Sequence, residues 1–511
     1  MLLTTIAMLS SSATAGSLQN LTLDEALQEL QARGLQLVYS NDLVLPGMRV
    51  EQEPRATQAR AILDEILEPH ALKVRGGPNG LLLLVRAESP PAVDSPSASL
   101  MATQHDAPRL EEVVVSASQY RFVRDLSFPL TSIDAADLQA SPDLGDDPLR
   151  AAARLPGMAS SDFSARINMR GGEAGETLIR FDGLRLHDPF HLKDFQSPFS
   201  TIGQGVVKDM RVHAGGFPVT FGDRMSGVID IDPLSPDASR YSEVALSFFN
   251  ASALTAGRTR DERVEWLASA RRGNLDLLVD ALNSSIGRPS YLDFYGHIAR
   301  RLTDDWTVSA NALVSNDAIV LFDGDHEEEA RAEYRDAYYW LRFDYQPSAS
   351  LSGNILLARS NLDSERLGQA DQEGVARGEL SDERSSVITS LQSDWSSRLS
   401  DYILLQFGGE WHAMRGRYDY RDAAEFDVLF DVPGAAQESQ RTRSLISRPE
   451  GDHVGAYANL RFEPLPSLTA DAGLRWDRET LSPDPDDQLS PRLSVLYSMG
   501  SQTQLRASWG R

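Results

Sequence analysis

The amino-acid sequence predicts two α+β domains followed by an antiparallel transmembrane β-barrel. Residues 16–88 and 120–235 combine helical spacing of apolar residues with short strands between glycine-rich turns. After Pro236 the pattern changes to segments of about ten residues in which apolar and polar side chains alternate. Short turns and long polar loops alternate between these segments, as is typical of strands that cross an outer membrane.

The composition excludes several classes of protein. The 511 residues include 49 Lys and Arg against 74 Asp and Glu, so the net charge is −25 and a nucleic-acid-binding protein is not expected. The chain has no cysteine, which excludes disulfides, thiolate metal sites and cysteine nucleophiles. No apolar run approaches the roughly 18 residues that a transmembrane helix needs.

Residues 1–15 have the pattern of a secretory signal peptide. The apolar stretch from Leu2 to Leu9 precedes a small-x-small cleavage pattern at Ala13-Thr14-Ala15. No Lys or Arg precedes the apolar stretch, which a misplaced start codon would explain.

Residues 16–88 are predicted to form a small α+β domain. One helix is expected from Leu23 to Leu30 with Thr22 as its N-cap, and a second from Ala59 to Leu67. Leu35 to Tyr39 alternates as a strand, and Leu72 to Arg86 is predicted to form a hairpin around a glycine-rich turn.

A lone extended segment, residues 110–119, follows a linker. Residues 89–109 are rich in Pro, Ser and Ala without periodicity, which predicts a flexible connection. Three consecutive valines at 113–115 then favour an extended chain. The pattern supports two interpretations equally: a strand that pairs with the sheet edge of a partner protein, or the first strand of the next domain.

Residues 120–235 are predicted to form a second α+β domain. Helices are expected at Ala135 to Leu138 and at Asp147 to Leu155. The predicted short strands are Thr177–Phe181, Leu184–Leu186, Asp209–His213, Phe217–Phe221 and Gly227–Ile231. Glycines at so many turns indicate close backbone approaches rather than catalysis.

Residues 236–511 are predicted to contribute about 13 strands of the barrel. The predicted strands are Tyr241–Phe248, Ala253–Thr259, Val264–Arg272, Tyr291–Arg301, Trp306–Asn316, Tyr334–Tyr345, Leu351–Ser360, Ser385–Ser396, Tyr402–Tyr418, His453–Phe462, Leu468–Trp476, Pro491–Tyr497 and Thr503–Trp509. The long polar loops are expected at Gly273–Ser290, Asp317–Glu333, Asn361–Arg384, Asp419–Asp452 and Asp477–Ser490.

No motif for catalysis or for a cofactor stands out. The chain lacks a nucleophile elbow, a P-loop, a dinucleotide fingerprint and a zinc-binding helix, so neither an enzyme nor a bound cofactor is expected. His187, His191 and His213 lack the spacing of a defined metal geometry, so we interpret them as loop or turn histidines and predict no metal site.

Taken in order, these segments resemble the TonB-dependent receptors over the whole chain. Residues 16–88 resemble the short secretin/TonB N-terminal domain of transducer-type receptors, and Glu111 to Ser118 (EEVVVSAS) resembles the TonB box. Residues 120–235 resemble the plug domain and residues 236–511 the barrel. The motifs that carry the likeness are Arg170-Gly171-Gly172, Phe181-Asp182-Gly183, Asp188-Pro189-Phe190-His191, Gly227–Ile231, Ser490–Leu493 and Leu505–Arg511.

The resemblance implies roles for particular residues. Those expected to bind TonB, the energy-coupling protein of the inner membrane, are Glu111, Glu112, Val113, Val114, Val115 and Ser116. Those of the plug motif are Arg170, Gly171, Gly172, Arg180, Asp182, Gly183, Pro189 and His191. We expect Arg170 and Arg180 to pair with carboxylates of the barrel.

The implied barrel differs from the family in its length. Receptors of this family close about 22 strands around the plug, against about 13 predicted here. An open sheet edge cannot satisfy its backbone groups in lipid, so we expect the chain to be truncated at its C-terminus.

The implied function is TonB-dependent import of a scarce ligand across the outer membrane of a Gram-negative bacterium. The ligand would be an iron chelate, cobalamin or an oligosaccharide. The N-terminal domain would be periplasmic and would signal to an anti-sigma factor. Two alternatives remain: a ligand-sensing signalling receptor with little transport, and a passive outer-membrane channel.

Overall fold

A computed structural model defines two compact units, Met1–Ala107 and Pro108–Arg511. The predicted signal peptide, linker and TonB box lie outside the residues that the structure describes. The described residues are 21–32, 37–38, 48–50, 54, 56, 59–70, 72–76, 82–86, 121–122, 128, 130–141, 145–161, 163–236, 240–277, 288–322, 328–372, 376–426, 440–482, 486–500 and 503–511.

The first unit contains an α+β fold, as the sequence predicts. Thr22 caps the first helix, because its hydroxyl accepts from the Glu25 N–H at 3.3 Å while the Glu25 carboxylate accepts from the Thr22 N–H at 2.9 Å. The central strand β3 is parallel to β1 and antiparallel to β2. The elements are α1 (Leu23–Ala32), β1 (Leu37–Val38), α2 (Ala59–Leu67), β2 (Leu72–Gly76) and β3 (Leu82–Arg86).

The helices of this unit bury the apolar residues whose spacing predicted them. Leu23 and Leu27 of α1 and Leu63 and Leu67 of α2 are all fully buried in one cluster. The unit therefore has its own hydrophobic core.

The second unit begins with a mixed-sheet domain, the name used here for the described residues between 121 and 233. Its six-stranded sheet has the order β4-β5-β12-β13-β8-β9, in which only β13 and β8 are parallel. The elements are β4 (Arg121–Phe122), β5 (Thr131–Asp134), α3 (Ala135–Ala140), α4 (Pro148–Ala152), β6 (Met158–Ala159), β7 (Asn168–Met169), β8 (Thr177–Phe181), β9 (Leu184–Leu186), β10 (Phe190–His191), β11 (Phe199–Ser200), β12 (Val207–His213) and β13 (Gly227–Pro233).

One predicted strand of this domain is wrong. Phe217–Phe221 forms a turn, in which the Phe221 N–H donates to the carbonyl of Pro218 at 3.2 Å. Pro218 has no N–H for a sheet ladder, so the alternation of apolar residues at 217, 219 and 221 is not accompanied by strand pairing.

A 14-stranded antiparallel sheet follows the mixed-sheet domain. Neighbours in the chain pair as hairpins throughout, except that β23 and β24 both pair with β22 instead of with each other. The strands are β14 (Tyr241–Leu246), β15 (Asn250–Arg258), β16 (Val264–Gly273), β17 (Ser290–Arg301), β18 (Trp306–Phe322), β19 (Glu328–Ser348), β20 (Leu351–Gln372), β21 (Ala376–Ser400), β22 (Ile403–Phe426), β23 (Gln440–Ser447), β24 (Glu450–Leu465), β25 (Leu468–Glu479), β26 (Asp486–Met499) and β27 (Thr503–Gly510).

The predicted strand positions are confirmed, with one addition. Each predicted strand overlaps a strand of the sheet, and β23 is the extra one. β22 pairs with β24 through Ile403 to Arg415 and with β23 through Tyr418 to Glu425, so β23 and β24 follow one another along the same edge. Pro449 lies at the break between them, where it cannot donate to the ladder.

The predicted long loops are largely wrong, because much of their length is strand. Asn361–Arg384 was expected to be a loop, but β20 continues to Gln372 and β21 begins at Ala376. Strand extensions also occupy parts of Asp317–Glu333, Asp419–Asp452 and Asp477–Ser490. Charged residues in these extensions, such as Glu365, Arg366 and Asp371, interrupt the alternation by which the sequence reveals a strand beside lipid.

The polarity of the sheet is inverted relative to that of a water-soluble protein. Large apolar side chains such as Leu292, Leu357, Trp411 and Leu474 are exposed on the outer face. Buried polar side chains occupy the inner face, among them Asp293, Asn311, Asp336, His412, Asn459 and Arg475. An apolar outer face and a polar inner face are the pattern of a β-sheet surrounded by lipid.

No helix in the described part of the chain has the length and apolar character that spanning a membrane would demand.

The outer face gives a test of the membrane-crossing segment. Leu357 and Leu367 lie on the same face of β20 and are 44% and 40% exposed. A membrane strand needs only about 9–11 residues, so Leu357 falls within the lipid and Leu367 beyond it. We expect Leu357→Arg to destabilise folding into phospholipid vesicles by about 2–4 kcal/mol, against about 0–1 kcal/mol for Leu367→Arg.

The measurement is equilibrium folding of each variant into vesicles across a urea series. Equal losses from the two substitutions would contradict the assignment of Leu357 to the lipid-facing segment.

Candidate functional site

Two tight turns of the mixed-sheet domain contain residues of the predicted plug motif. Arg170 and Gly171 have φ of 49° and 81°, and Asp182 and Gly183 have φ of 49° and 81°. Two successive residues with positive φ define the hairpin turns in which glycine is favoured at the second position. The Asp182-Gly183 turn joins β8 to β9 and directs the Asp182 carboxylate towards the 14-stranded sheet.

Asp182 is held by two side chains of β19. The Trp340 indole N–H donates to its Oδ2 at 3.0 Å, and Arg342 Nη1 lies 3.0 Å from its Oδ1. Burial raises the pKa of the Asp182 carboxyl, and the Arg342 guanidinium opposes that rise. The turn thus places a buried acceptor against a donor pair on the sheet.

The contacts continue along β19 at every second residue. The Tyr338 hydroxyl donates to the carbonyl of His187 at 2.9 Å, and Asp336 Oδ2 accepts from Lys193 Nζ at 2.8 Å. The Tyr334 hydroxyl donates to Asp194 at 2.5 Å. Because side chains at i and i+2 point to the same face of a strand, one strand can hold the whole segment from residue 182 to residue 194.

His191 joins two further strands of the sheet. Its Nε2 lies 2.7 Å from Asp293 Oδ1, and its Nδ1 hydrogen-bonds Asp317 Oδ1. Asp317 also accepts from the N–H of Leu192 at 2.7 Å, and the imidazole stacks on Tyr291 at 4.1 Å between centroids. Burial alone would lower the pKa of His191, but the carboxylates of Asp293 and Asp317 outweigh it and raise the pKa to about 9.

The expected pairing of Arg180 with a barrel carboxylate is wrong. Its Nε lies 3.5 Å from Asp230 Oδ1 on β13, which is the strand beside β8 in the mixed sheet. Arg211 of β12 also contacts Asp230, at 3.0 Å. Burial raises the pKa of Asp230, but these guanidinium groups outweigh it and lower the pKa. Register explains the difference, since Arg180 and Asp230 are direct cross-strand partners.

The expected pairing of Arg170 is not found either. Among the residues that the structure describes, Arg170 forms no ion pair, and its side chain lies against Gly157 and Gly215. Gly172 makes the closest approach in this motif, because a Cβ there would lie 1.8 Å from Ser226 Oγ. Gly171 is unobstructed, and the carbonyl of Pro189 accepts from the N–H of Thr201 at 3.0 Å.

Sequence reasoning missed two arginines of the 14-stranded sheet. Arg475 of β25 donates from Nη1 to the carbonyl of Thr220 at 3.1 Å, and Arg492 of β26 donates to the carbonyl of Phe221 at 2.8 Å. Both therefore hold the Phe217–Phe221 turn. The available signal was their position on the polar face of strands that otherwise expose apolar side chains, such as Leu474 and Leu493, to lipid.

The two groups of contacts bring only part of the predicted plug motif to the sheet. Asp182 and His191 touch it directly, whereas Arg170, Gly172 and Arg180 organise the mixed-sheet domain itself. The six residues from Glu111 to Ser116 that were expected to bind TonB lie outside the described residues.

Comparison with known proteins identifies the family. The family model described as "TonB dependent receptor-like, beta-barrel" matches residues 246–511. The chain belongs to the TonB-dependent receptors, whose β-barrels lie in the outer membrane of Gram-negative bacteria. No curated protein matches the sequence.

Solved structures share the fold at low sequence identity. The ferric enterobactin receptor PfeA of Pseudomonas aeruginosa is 17% identical over 74% of this chain, with a TM-score of 0.55. The siderophore receptor PirA of Acinetobacter baumannii is 14% identical over 74% of this chain, with a TM-score of 0.52. The P. aeruginosa receptor FpvA, solved with a pyoverdine–iron complex, is 11% identical over 96% of this chain and 69% of its own, with a TM-score of 0.53. The chain spans 61% of the length of PfeA and 60% of that of PirA.

The raised pKa of His191 predicts a pH-dependent attachment of the mixed-sheet domain. A group whose folded pKa lies above its unfolded value of about 6.5 stabilises the fold fully below that value, and the stabilisation is lost as the pH rises through about 9. We expect the urea concentration at the unfolding midpoint of the detergent-solubilised chain to decrease as the pH is raised from about 6.5 to about 9.5. His191→Gln should lower the midpoint at the acidic end and flatten this dependence.

His187→Gln is the matched control. Burial and the neighbouring Arg185 guanidinium lower the pKa of His187 to about 3, so this side chain is neutral throughout the range. A pH dependence that persists in His191→Gln, or disappears in His187→Gln, would contradict the assignment.

Proposed function

We propose that this chain is an energy-dependent importer of iron chelates, in which the mixed-sheet domain is the plug. The observation that carries the proposal is the polar attachment of that domain to the inner face of the sheet. Asp182, Lys193 and His191 each form an ion pair with a charged side chain of the strands. Arg475 and Arg492 hydrogen-bond backbone carbonyls of the Phe217–Phe221 turn.

Such an attachment suits a domain that stays bound to the sheet at rest and moves away from it during import. Buried ion pairs gain little net free energy, because the cost of removing two charges from water offsets most of their attraction. Water that enters the interface during movement can solvate the separated charges again. A passive channel would gain nothing from filling its inner face with a folded domain, so this observation disfavours that alternative.

The proposed ligand class is an iron chelate. PfeA is named as a ferric enterobactin receptor, PirA as a siderophore receptor, and FpvA was solved with iron-loaded pyoverdine. These names support ferric chelates over cobalamin and oligosaccharides for this chain. Induction of the gene by iron starvation would agree with this choice, and induction by a sugar instead would contradict it.

We further propose that Glu111 to Ser116 bind TonB as an added strand. The valines at 113–115 favour an extended conformation, and strand addition uses backbone N–H and C=O groups rather than particular side chains. The segment directly precedes the proposed plug in the chain, so a pull on it would act on that domain first.

A proline within this segment tests the energy-coupling step. Val114→Pro removes a backbone donor from the added strand, so we expect uptake of radioactive iron chelate to fall to the level of cells lacking TonB. The affinity of the same cells for the chelate should stay within about twofold of that of cells with the wild-type chain. The substitution lies outside the ligand site, so it should change the binding free energy by no more than about RT.

Val93→Pro, in the predicted linker, is the matched control and should leave uptake unchanged. Normal uptake by the Val114→Pro variant would contradict the assignment of Glu111 to Ser116 as the segment that binds TonB. Loss of both binding and uptake would instead indicate a failure to assemble.

A second proposed function is signalling through residues 16–88. The first unit has its own apolar core, and the likeness to FpvA extends over 96% of this chain. A unit that folds around its own core can bind a partner without taking part in transport. We propose a periplasmic anti-sigma factor as that partner.

Deletion of residues 16–88 separates signalling from transport. We expect the deletion to abolish chelate-induced transcription while uptake of radioactive iron chelate stays within about twofold of the full chain. Unchanged transcription after the deletion would rule out the signalling role.

A further inference from the structure

Two histidines and a glutamate meet on the inner face of the 14-stranded sheet, away from the contacts of the predicted plug motif. His412 of β22 and His453 of β24 are direct cross-strand partners, and their rings stack at 5.6 Å with an interplanar angle of 18°. Glu410 precedes His412 by two residues and shares its face of β22. His412 and His453 are only 5% and 6% exposed.

The ring nitrogens of this pair are buried without normal hydrogen bonds. Among the residues that the structure describes, His412 Nε2 and both nitrogens of His453 have no hydrogen-bond partner. Two carboxylates lie at ion-pair distance, Glu410 Oε2 at 3.4 Å from His412 Nε2 and Asp477 Oδ1 at 3.2 Å from His453 Nε2. Buried polar groups without partners are uncommon in native proteins, because burial removes the hydrogen bonds that water would make. Three imidazole nitrogens beside two carboxylates form a cluster of electron-pair donors that a cation can bind.

We propose that Glu410, His412 and His453 bind one divalent transition-metal ion of the zinc class. One ligand atom from each of the three residues lies within 4.8 Å of the others. Ligands about 2.1 Å from one tetrahedral ion lie roughly 3.4 Å apart, so side-chain movements of about an ångström close the site. Two imidazoles and a carboxylate match the donor set that zinc takes in proteins, whereas calcium and magnesium take oxygen ligands.

The surrounding side chains orient these ligands. Ser390 Oγ lies 2.8 Å from His412 Nδ1, so a proton on Nδ1 leaves the lone pair of Nε2 directed at the ion. Arg475 contacts Glu410 through Oε1, which leaves Oε2 on the side of the histidines. Asp477, which pairs with Arg475 at 2.7 Å and faces His453, can orient that imidazole or supply a fourth ligand.

The site has a route to solvent. His453 and Asp477 line a cavity of about 760 Å³ that is also lined by Gly215, Arg224 and Arg492. An ion can therefore reach the histidines from the space between the mixed-sheet domain and the last strands. Water or chloride entering the same space can complete the coordination.

Metal binding by the full chain in detergent tests this inference without any transport assay. Titration with Zn²⁺ alone, followed by competition with a chromogenic chelator, should show one site. His412→Gln and His453→Gln should each weaken the binding of Zn²⁺ by at least about tenfold, and Glu410→Gln by a similar factor.

His297→Gln is the matched control. His297 is also on the inner face and lies 3.6 Å from a carboxylate, that of Glu265, but it has no second histidine beside it. Binding should be unchanged in this variant. Equal affinity in the wild-type chain and the His412→Gln/His453→Gln double variant would overturn the proposal, as would an equal loss in His297→Gln.

A measurement on the unaltered chain covers the case in which a variant does not fold. X-ray absorption at the zinc edge of the one-to-one complex should show imidazole scattering and N/O ligands at about 2.0–2.2 Å. A spectrum without imidazole scattering would overturn the site. Val114→Pro should bind Zn²⁺ normally, so failure of the transport proposal and failure of the metal site are distinguishable.

Discussion

Lipid offers no hydrogen-bond partners, and this constraint underlies the rest of the structure. Each strand of the 14-stranded sheet pairs its backbone with neighbouring strands, and its apolar side chains face outward. Because side chains alternate, every second residue must then face inward, where polar groups are compatible with water or with a partner. The inner face of β19 carries Tyr334, Asp336, Tyr338, Trp340 and Arg342 for this reason.

The mixed-sheet domain uses that inner face in two different ways. An apolar cluster joins Met210, Ile229 and Ile231 of its sheet to residues such as Tyr338 and Trp340 of β19, and this packing supplies adhesion. The charged contacts of Asp182, His191 and Lys193 supply position instead, since a misplaced domain would leave each of these charges buried and unpaired. Apolar residues thus stabilise the contact between the domain and the sheet, and charged residues of the same surface fix the position of the domain.

The sequence predicted the strands of the sheet well and the contacts of the site only in part. Alternation located every strand of the 14-stranded sheet except β23, because one face meets lipid. The helical spacing around Leu23 and Leu63 located α1 and α2 of the first unit. Glycine turns located the Asp182-Gly183 corner. Partners could not be predicted, because Arg180 finds Asp230 through parallel register between β8 and β13, and His191 finds Asp317 across 126 residues of chain.

The same reasoning explains why His412 and His453 were overlooked. They are 41 residues apart in sequence, and only the antiparallel register of β22 and β24 makes them neighbours. Neither histidine belongs to a local spacing motif. The strand extensions escaped prediction for a different reason, because charged residues such as Glu365 and Arg366 interrupt the alternation that marks a strand beside lipid.

These extensions affect how a ligand first meets the protein. β20, β21 and β22 contain 22, 25 and 24 residues, while about ten suffice to cross the hydrocarbon. At about 3.3 Å per residue and a tilt of about 40°, the remaining residues extend the strands roughly 30–38 Å beyond the hydrocarbon. Paired ladders are stiffer than open loops of the same length, so the described parts of these strands form a stiff wall beyond the hydrocarbon. A solute that approaches this side of the sheet therefore meets protein well before it reaches the headgroups.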